Sequence, residues 1–228
     1  MLDEPKPLRI KRPSNRPTTE QIAAFQNAPS SVVADAMIND GVFQPGIRAL
    51  KGEMHVAGPA LSVGCGPADI LALKAALSFV EAGDVVVSTS NGFTGAATMG
   101  DLVAGRLKYA GAIGFVTDGA LRDAVGIIET GLAVWCQGRT PASPISKGPG
   151  TIGLPISIGG QTVETGDMVV ADGDGVVIVP FARIDEIAAK VKHILSVETV
   201  SEAKVKDGAT TFSESEELLS SNQITWVV

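Results

Sequence analysis

The sequence is poor in the residues that disulfides, zinc sites and base-stacking surfaces need. It has two cysteines, Cys65 and Cys136, and two histidines, His55 and His193, among 228 residues. Each pair is widely separated, which disfavours a histidine-based zinc site and favours reduced, buried thiols over a disulfide. Aromatic residues make up only 4% of the chain, which disfavours a platform for stacking nucleic-acid bases.

The sequence also lacks long apolar runs and an excess of positive charge. The N-terminal stretch MLDEPKPLRIKRPSNRP has no apolar core of signal-peptide length, and no apolar run approaches a bilayer span. We therefore expect a cytoplasmic protein with no membrane partner. The formal net charge of −7 disfavours binding to a phosphate backbone, so no nucleic-acid partner is expected.

Small and β-branched apolar residues are abundant. Hydrophobic residues make up 45% of the chain, 26 residues are glycine, and the mean hydropathy is +0.25. This composition favours one tightly packed domain. We divide the chain into an extended arm at residues 1–17, a folded domain at 18–206 and a C-terminal tail at 207–228. The proline-rich arm is either solvated or wraps a neighbouring subunit.

Apolar patterns along the domain alternate between strands and helices, as in an α/β fold. Strands are predicted at 55–65, 84–88, 113–117 and 133–136, with several short strands over 154–180. Helices are predicted at 68–83, at 101–110 and from 183 to about 206. Pro59 predicts that its strand is an edge strand or has a bulge. Residues 43–50 form a predicted loop, and residues 138–153 form either a lid or a plain surface loop.

The stretch from Gly100 to Asp123 is the strongest candidate for a site. The start of a helix at Asp101 offers free N–H groups and a partial positive charge to an anion. Arg122 can bind a carboxylate through two parallel hydrogen bonds, and Asp101 and Asp123 are suitable ligands for a hard divalent cation. The alternative is a structural ion pair of Arg122 with Asp101 or Asp118, and spacing alone favours this alternative.

Two motifs together resemble those of the RraA-like family. The first is Gly100-Asp101, twenty residues, then Arg122-Asp123, preceded by a valine-rich strand and Asn91-Gly92. The second is GDMVVADGDGVVIVP at residues 166–180. The family contains class II pyruvate aldolases that act on 4-hydroxy-4-methyl-2-oxoglutarate and 4-carboxy-4-hydroxy-2-oxoadipate. It also contains proteins that regulate an RNA-degrading endonuclease by binding it. The resemblance covers residues 30–205.

The resemblance implies a fold, an assembly and a metal. The fold is a swivelling β/β/α sandwich-like single domain, here with an N-terminal arm and a C-terminal helical extension. The family assembles as homotrimers or homohexamers with the site at a subunit boundary. Asp123 would bind Mg²⁺ or Mn²⁺ directly, and Asp101 would hold metal-bound water. Glu198 of an adjacent chain would act through water, with Glu202 as its rival; the alternative is that both glutamates are solvated.

The resemblance also implies a substrate and a reaction. Arg122 would bind the carboxylate or keto oxygen of a 2-oxo acid. The backbone amides that would share this task are those of Gly100, Asp101, Leu102 and Val103. The implied activity is that of a carbon–carbon lyase that cleaves 4-hydroxy-2-oxo acids to pyruvate and decarboxylates oxaloacetate. Because a fold does not fix a function, a non-catalytic regulator of a ribonuclease is the alternative.

Overall fold

The computed structural model describes residues 6–12, 15–52 and 54–227. These ranges contain fourteen strands: β1 (Leu8–Ile10), β2 (Arg48–Ala49), β3 (Val56–Gly64), β4 (Val85–Thr89), β5 (Ala97–Met99), β6 (Gly114–Thr117), β7 (Ala120–Leu121), β8 (Ala133–Cys136), β9 (Gly138–Arg139), β10 (Gly150–Ile152), β11 (Ile156–Ile158), β12 (Gln161–Val163), β13 (Met168–Ala171) and β14 (Val176–Val179). They also contain seven α-helices: α1 (Thr19–Ala23), α2 (Ser30–Ala36), α3 (Leu71–Ala76), α4 (Asp101–Ala110), α5 (Ala124–Glu129), α6 (Ile184–Lys206) and α7 (Ser213–Ser220).

The largest sheet has a parallel centre of β3, β4, β6 and β8. β10 and β1 extend it beyond β3, and β2 extends it beyond β8. β13 pairs with the other half of β3 and carries β14. Val86 of β4 packs in the cluster that includes α3, α4 and α5, whereas Val85 and Val87 pack in the cluster formed with β11 to β14. Burial on both faces explains the unbroken apolar run of the predicted strand.

A second parallel sheet, β5–β7–β9, forms where the chain bends after β6 and β8. Asp118 and Gly119 alone separate β6 from β7, and Gln137 alone separates β8 from β9. The carboxyl ends of three parallel strands therefore lie at one edge of this sheet. In α/β folds, ligands bind outside the carboxyl ends of such strands.

The long helix α6 covers β13 and β14 together with α1 and α2. Its predicted apolar stripe is confirmed, because Ile184, Ile187 and Val191 are fully buried there. Beyond Leu195 most side chains of the helix are exposed, among them those of Val197 and Val200. Nearly half of α6, residues 196–206, is thus a helical extension that its own chain covers little.

The N-terminal arm lies on its own domain. β1 pairs in parallel with β10, and Arg16 Nη1 donates to Asp84 Oδ1 at 2.6 Å. The described part of the arm is thus anchored on its own domain while most of its side chains stay exposed, because β10 has an edge to pair and the buried Asp84 has a carboxylate to neutralise. Residues 1–5 and 13–14 of the predicted arm lie outside the described residues.

Three local expectations differ from the structure. Pro59 lies in the central strand β3; it faces Met168 in the β13 ladder, and the ladder to β4 begins one residue later at Ala60. The predicted loops 43–50 and 138–153 contain β2, β9 and β10, and the tail contains the exposed helix α7. The missed strands are two or three residues long, too short to produce a readable period.

Replacing Arg16 by alanine removes the cation beside Asp84. Burial raises the pKa of Asp84, and the Glu81 N–H and the Arg16 guanidinium offset part of that rise. A raised carboxyl pKa lowers stability as the pH increases, and losing Arg16 raises the pKa further. Because Arg16 is partly exposed, we expect R16A to lose about 1–2 kcal/mol at pH 7 and less at pH 4.

Urea denaturation at both pH values measures this loss. Arg12→Ala changes an exposed arginine of the same arm and should stay within about 0.5 kcal/mol of the wild type. An R16A deficit of the same size at pH 4 and pH 7 would contradict the assignment.

Candidate active site

The ends of β5, β7 and β9 bring separate parts of the chain side by side. Met99 pairs with Leu121, so the residues that follow them, Gly100 and Arg122, are neighbours. The Arg122 N–H donates to the Met99 C=O at 3.1 Å, and the Thr140 N–H donates to the Leu121 C=O at 2.9 Å. Backbone hydrogen bonds therefore fix the relative positions of the residues that follow these three strands.

Asp118 holds the glycine-rich loop that leads into β5. Its buried carboxylate accepts the N–H of Ser90 at 2.6 Å, the N–H of Gly92 at 2.9 Å and the hydroxyl of Thr89 at 2.8 Å. At Gly119 a Cβ would overlap side-chain hydroxyl oxygens. The predicted turn at Asp118-Gly119 thus anchors the loop, because both carboxylate oxygens of Asp118 accept hydrogen bonds from it.

Arg122 and Asp123 contact each other at the start of α5. Arg122 Nε lies 3.4 Å from Asp123 Oδ2, and Arg122 Nη1 donates to Ser143 Oγ at 2.6 Å. Asp123 has a left-handed backbone, with φ 55° and ψ 41°, a conformation that aspartate tolerates better than most residues but that still costs energy. The alternative of an Arg122 ion pair with Asp101 or Asp118 is wrong within the described ranges.

Gly100 lets the Arg122–Asp123 pair lie against the backbone. A Cβ at this position would be 2.8 Å from Asp123 Oδ2 and 3.3 Å from both Cγ and Nε of Arg122. Its φ of −123° and ψ of −176° suit any residue, so space and not backbone conformation makes glycine necessary here.

Asp101 begins α4, where the helix dipole favours a negative charge. A Cβ at Gly126 of α5 would lie 2.8 Å from Asp101 Cβ, so this glycine allows the two helix starts to meet. Asp101 Oδ1 accepts the Leu102 N–H at 2.7 Å, and the Val103 N–H donates to the Gly100 C=O at 3.2 Å. The Leu102 and Val103 amides, predicted to hold substrate, thus have partners within the chain.

Two adjoining cavities meet at Arg122. The larger, of about 510 Å³, has apolar walls from Ile70, Leu77, Met99, Leu102 and Val103. Its polar lining comes from Lys74, Asp101, Arg106, Arg122 and Ser143. The smaller, of about 350 Å³, is lined by Arg122, Asp123, Arg139 and Thr140 among others. Asp101 therefore lines the larger cavity, Asp123 lines the smaller one, and Arg122 lines both.

Ser143 and Pro144, which begin the loop 143–148, form part of the wall of the larger cavity. This loop lies within the stretch predicted as a lid or a surface loop. Asp69 fixes it by accepting the N–H groups of Lys147 at 2.6 Å and Gly148 at 2.9 Å, besides that of Leu71 at 2.8 Å. Burial alone would raise the pKa of Asp69, but these three hydrogen bonds outweigh it and lower the pKa. Sequence reasoning missed Asp69 because its partner Lys147 is 78 residues away.

Glu198 and Glu202 lie on the extension of α6. Glu198 is half-buried and Glu202 is exposed, and neither lines the two cavities at Arg122. Glu202 lies 3.6 Å from Lys206 on the same helix. Within one chain, then, these glutamates are not brought to the cleft, and a role there requires a second copy.

Asp123 pairs with Arg122, and Asp101 lines the larger cavity together with Arg122. Across residues 6–12, 15–52 and 54–227, no three side chains of His, Cys, Asp or Glu converge as a metal cluster. Mg²⁺ binds one or two protein carboxylates and keeps several waters, and Mn²⁺ accepts similar oxygen donors. This donor set therefore fits either cation and does not fit a structural zinc site.

The fold and the cleft define a single mixed α/β domain with a candidate site at the carboxyl ends of a parallel sheet. The family model described as RraA-like, Aldolase/RraA, matches residues 30–178. The chain belongs to this RraA-like family. A curated protein of Halalkalibacterium halodurans named "Putative 4-hydroxy-4-methyl-2-oxoglutarate aldolase" is 32% identical over 186 residues, which cover 82% of this chain and 89% of that protein.

Solved structures have the same fold. RraAS2 of Streptomyces coelicolor, described as an unusual member of the RNase ES inhibitor RraA protein family, is 31% identical with a TM-score of 0.75 over 83% of this chain and 99% of its own. The RNA-processing inhibitor RraA of a Thermus species is 23% identical with a TM-score of 0.63, over 68% and 94% of the respective chains. These likenesses confirm the predicted fold class.

The three described ranges contain no helix with both the length and the apolar character that crossing a bilayer requires.

Replacing Asp69 by asparagine should loosen the loop beside Arg122. The folded pKa of Asp69 lies below its unfolded value of about 3.9, so its contribution to stability is present above that pH and is lost as the pH falls through the folded pKa. We expect D69N to lose about 1.5–3 kcal/mol at pH 7, because an amide replaces a charged acceptor, and the difference to shrink below pH 4.

Chemical denaturation between pH 3 and pH 7 tests this expectation. Asp35→Asn, at an exposed position of α2, is the matched control and should be nearly neutral. A D69N variant as stable as the wild type at pH 7 would rule out the anchoring role.

Proposed function

We propose that this protein is a divalent-metal-dependent class II aldolase that cleaves 4-hydroxy-2-oxo acids, of the 4-hydroxy-4-methyl-2-oxoglutarate type, to pyruvate. The observation that carries the proposal is that Arg122, paired with Asp123 at the start of α5, lines one cavity with Asp123 and another with Asp101 at the start of α4. The resemblance to the Halalkalibacterium halodurans protein, whose name gives the same activity, supports it.

Arg122 is assigned to the carboxylate at C1 of the substrate. Its guanidinium has five N–H donors, of which Nη1 bonds Ser143 and Nε faces Asp123, so further donors face the cleft. A planar fork of donors suits a carboxylate better than a single ammonium does. The Ser143 contact holds the guanidinium in place before the substrate arrives, which lowers the entropic cost of binding.

Asp123 and Asp101 are assigned to Mg²⁺ or Mn²⁺, Asp123 directly and Asp101 through water. When bound, the cation acts as a Lewis acid toward the negative charge that develops on the keto oxygen. Within a homotrimer or homohexamer, Glu198 of an adjacent copy would complete the set through water, which would explain why Glu198 does not line the cavities of its own chain.

Asp101 is also assigned to the proton transfer. In the cleavage, the 4-hydroxyl group loses its proton, the C3–C4 bond breaks, and its electron pair moves to C3 and the keto group. Protonation at C3 then gives pyruvate, and C4 leaves as a carbonyl. The cleft has no histidine among its lining residues, so Asp101 is the group assigned to hold the proton, directly or through water. Decarboxylation of oxaloacetate develops the same charge, so we expect that activity too.

A non-catalytic regulator of a ribonuclease is the second candidate. The 31% identity to RraAS2, which is described as a member of an RNase inhibitor family, favours it. The two candidates differ in one simple respect: a regulator needs no turnover of 2-oxo acids.

Replacing Asp123 by alanine should abolish turnover. We expect oxaloacetate decarboxylation and aldol cleavage to fall at least 100-fold in kcat, because the charge on the keto oxygen loses its stabilisation, and EDTA should reduce the wild type to the same level. Asp174→Ala, at an exposed turn, should leave kcat unchanged. Retention of activity in D123A or in EDTA would refute the metal-dependent mechanism, and wild-type inactivity on all 2-oxo acids tried would favour the regulator.

Replacing Gly100 by alanine tests the packing of the site. The new Cβ would press on Asp123 and Arg122, so we expect kcat/KM to fall about tenfold or more while the fold survives. Gly105→Ala is the control on the same helix, because a Cβ there meets only Thr130 Cγ2, at 4.0 Å. G105A should keep full activity and gain about 0.5–1 kcal/mol of stability. Equal activity of the two variants would contradict the proposed packing.

A further inference from the structure

The larger cavity has more positive charge than the proposed chemistry at Arg122 uses. The chain has a formal net charge of −7, yet Lys74, Arg106 and Arg122 line this cavity, with Asp101 as the single carboxylate among its lining residues. Cations gathered in a cleft of an acidic protein focus a positive potential there and attract anions. One carboxylate on Arg122 leaves Lys74 and Arg106 unused by the proposed chemistry, although the charge of Lys74 also helps to lower the pKa of the nearby Asp69.

Lys74 and Arg106 are exposed residues that line the cavity, and each makes a hydrogen bond within the chain. Lys74 Nζ donates to Ser146 Oγ at 2.7 Å, which leaves two of its three N–H donors for a ligand. Arg106 lies five residues after Asp101, about 7.5 Å farther along α4. Its Nη1 donates to the Leu102 C=O at 2.8 Å, so the guanidinium folds back toward the helix start and the cavity.

One loop, 143–148, forms hydrogen bonds with two of these cations. Ser143 Oγ accepts a hydrogen bond from Arg122 Nη1 at 2.6 Å, and Ser146 Oγ, three residues later, accepts one from Lys74 Nζ at 2.7 Å. The Asp69 carboxylate anchors the same loop. Apolar side chains, those of Ile70, Leu77 and Met99, also line the cavity that the cations share. Such a cavity matches a ligand with an anionic group at each end and a short apolar middle.

Substrates of the 4-hydroxy-4-methyl-2-oxoglutarate type have a second carboxylate at the far end from C1, and we propose that Lys74 and Arg106 are the residues that bind it and make it a requirement for tight binding. The inference rests on the proposed function, in which Arg122 holds the first carboxylate. Lys74 and Arg106 act as specificity residues and touch no reacting atom. A substrate with a neutral tail would forgo their charge-assisted hydrogen bonds.

Calorimetric titration in the presence of Mg²⁺ tests this inference with 2-oxoglutarate and 2-oxopentanoate. Both acids lack the 4-hydroxyl group, so neither is cleaved, and they differ in the distal carboxylate. We expect 2-oxoglutarate to bind the wild type about tenfold more tightly, with the preference weakening as salt is added. The double variant K74M/R106L should lose the preference, whereas K74R should keep it.

Lys108→Met is the matched control, since Lys108 is an exposed cation of α4 outside the cavity lining; it should keep the wild-type preference. Thermal unfolding identifies any variant that fails to fold. Equal binding of the two acids to the wild type, or an unchanged preference in K74M/R106L, would overturn this inference and leave the proposed function intact. If neither acid binds the wild type, the proposed function fails and this inference fails with it.

Discussion

The candidate site depends on the pairing of Met99 with Leu121 in the parallel strands β5 and β7. That register makes Gly100 and Arg122 neighbours, although twenty-one residues separate them in the chain. Because Gly100 has no Cβ, the Arg122–Asp123 pair lies against the start of α4. A slip of one residue would turn the side chains of the slipped strand to the other face of the sheet and move Gly100 and Asp101 away from the Arg122–Asp123 pair.

Long periodic patterns made much of the fold predictable from the sequence. The apolar run of β4 and the stripe of α6 both appear where their patterns placed them. Short strands such as β2 and β9 are too short to show a periodic apolar pattern. The prediction from Pro59 of an edge strand or a bulge was wrong because β3 begins to pair with β4 only at the next residue, Ala60. A proline lacks only its own backbone N–H donor, so it removes one hydrogen bond and need not place the whole strand at an edge.

Some residues of the candidate site were likewise predictable from the sequence, and others were not. The spacing of Asp101, Arg122 and Asp123 pointed to the cleft because all three belong to one contiguous stretch, although their chemical roles stay predictions. Asp69 and Ser143 gave no signal, because their contacts cross long stretches of chain that only folding brings together. Local sequence specified the charged groups, and tertiary structure supplied the side chains and amides that hold them in place.

The central claim is that a divalent cation and a 2-oxo acid share the cleft around Arg122. A crystal structure of the protein soaked with Mn²⁺ and pyruvate, with the anomalous signal of Mn²⁺ recorded, tests it most directly. The account predicts an anomalous peak in bonding distance of the Asp123 carboxylate and a pyruvate carboxylate on the Arg122 guanidinium. Manganese at another position, with pyruvate absent from Arg122, would contradict it.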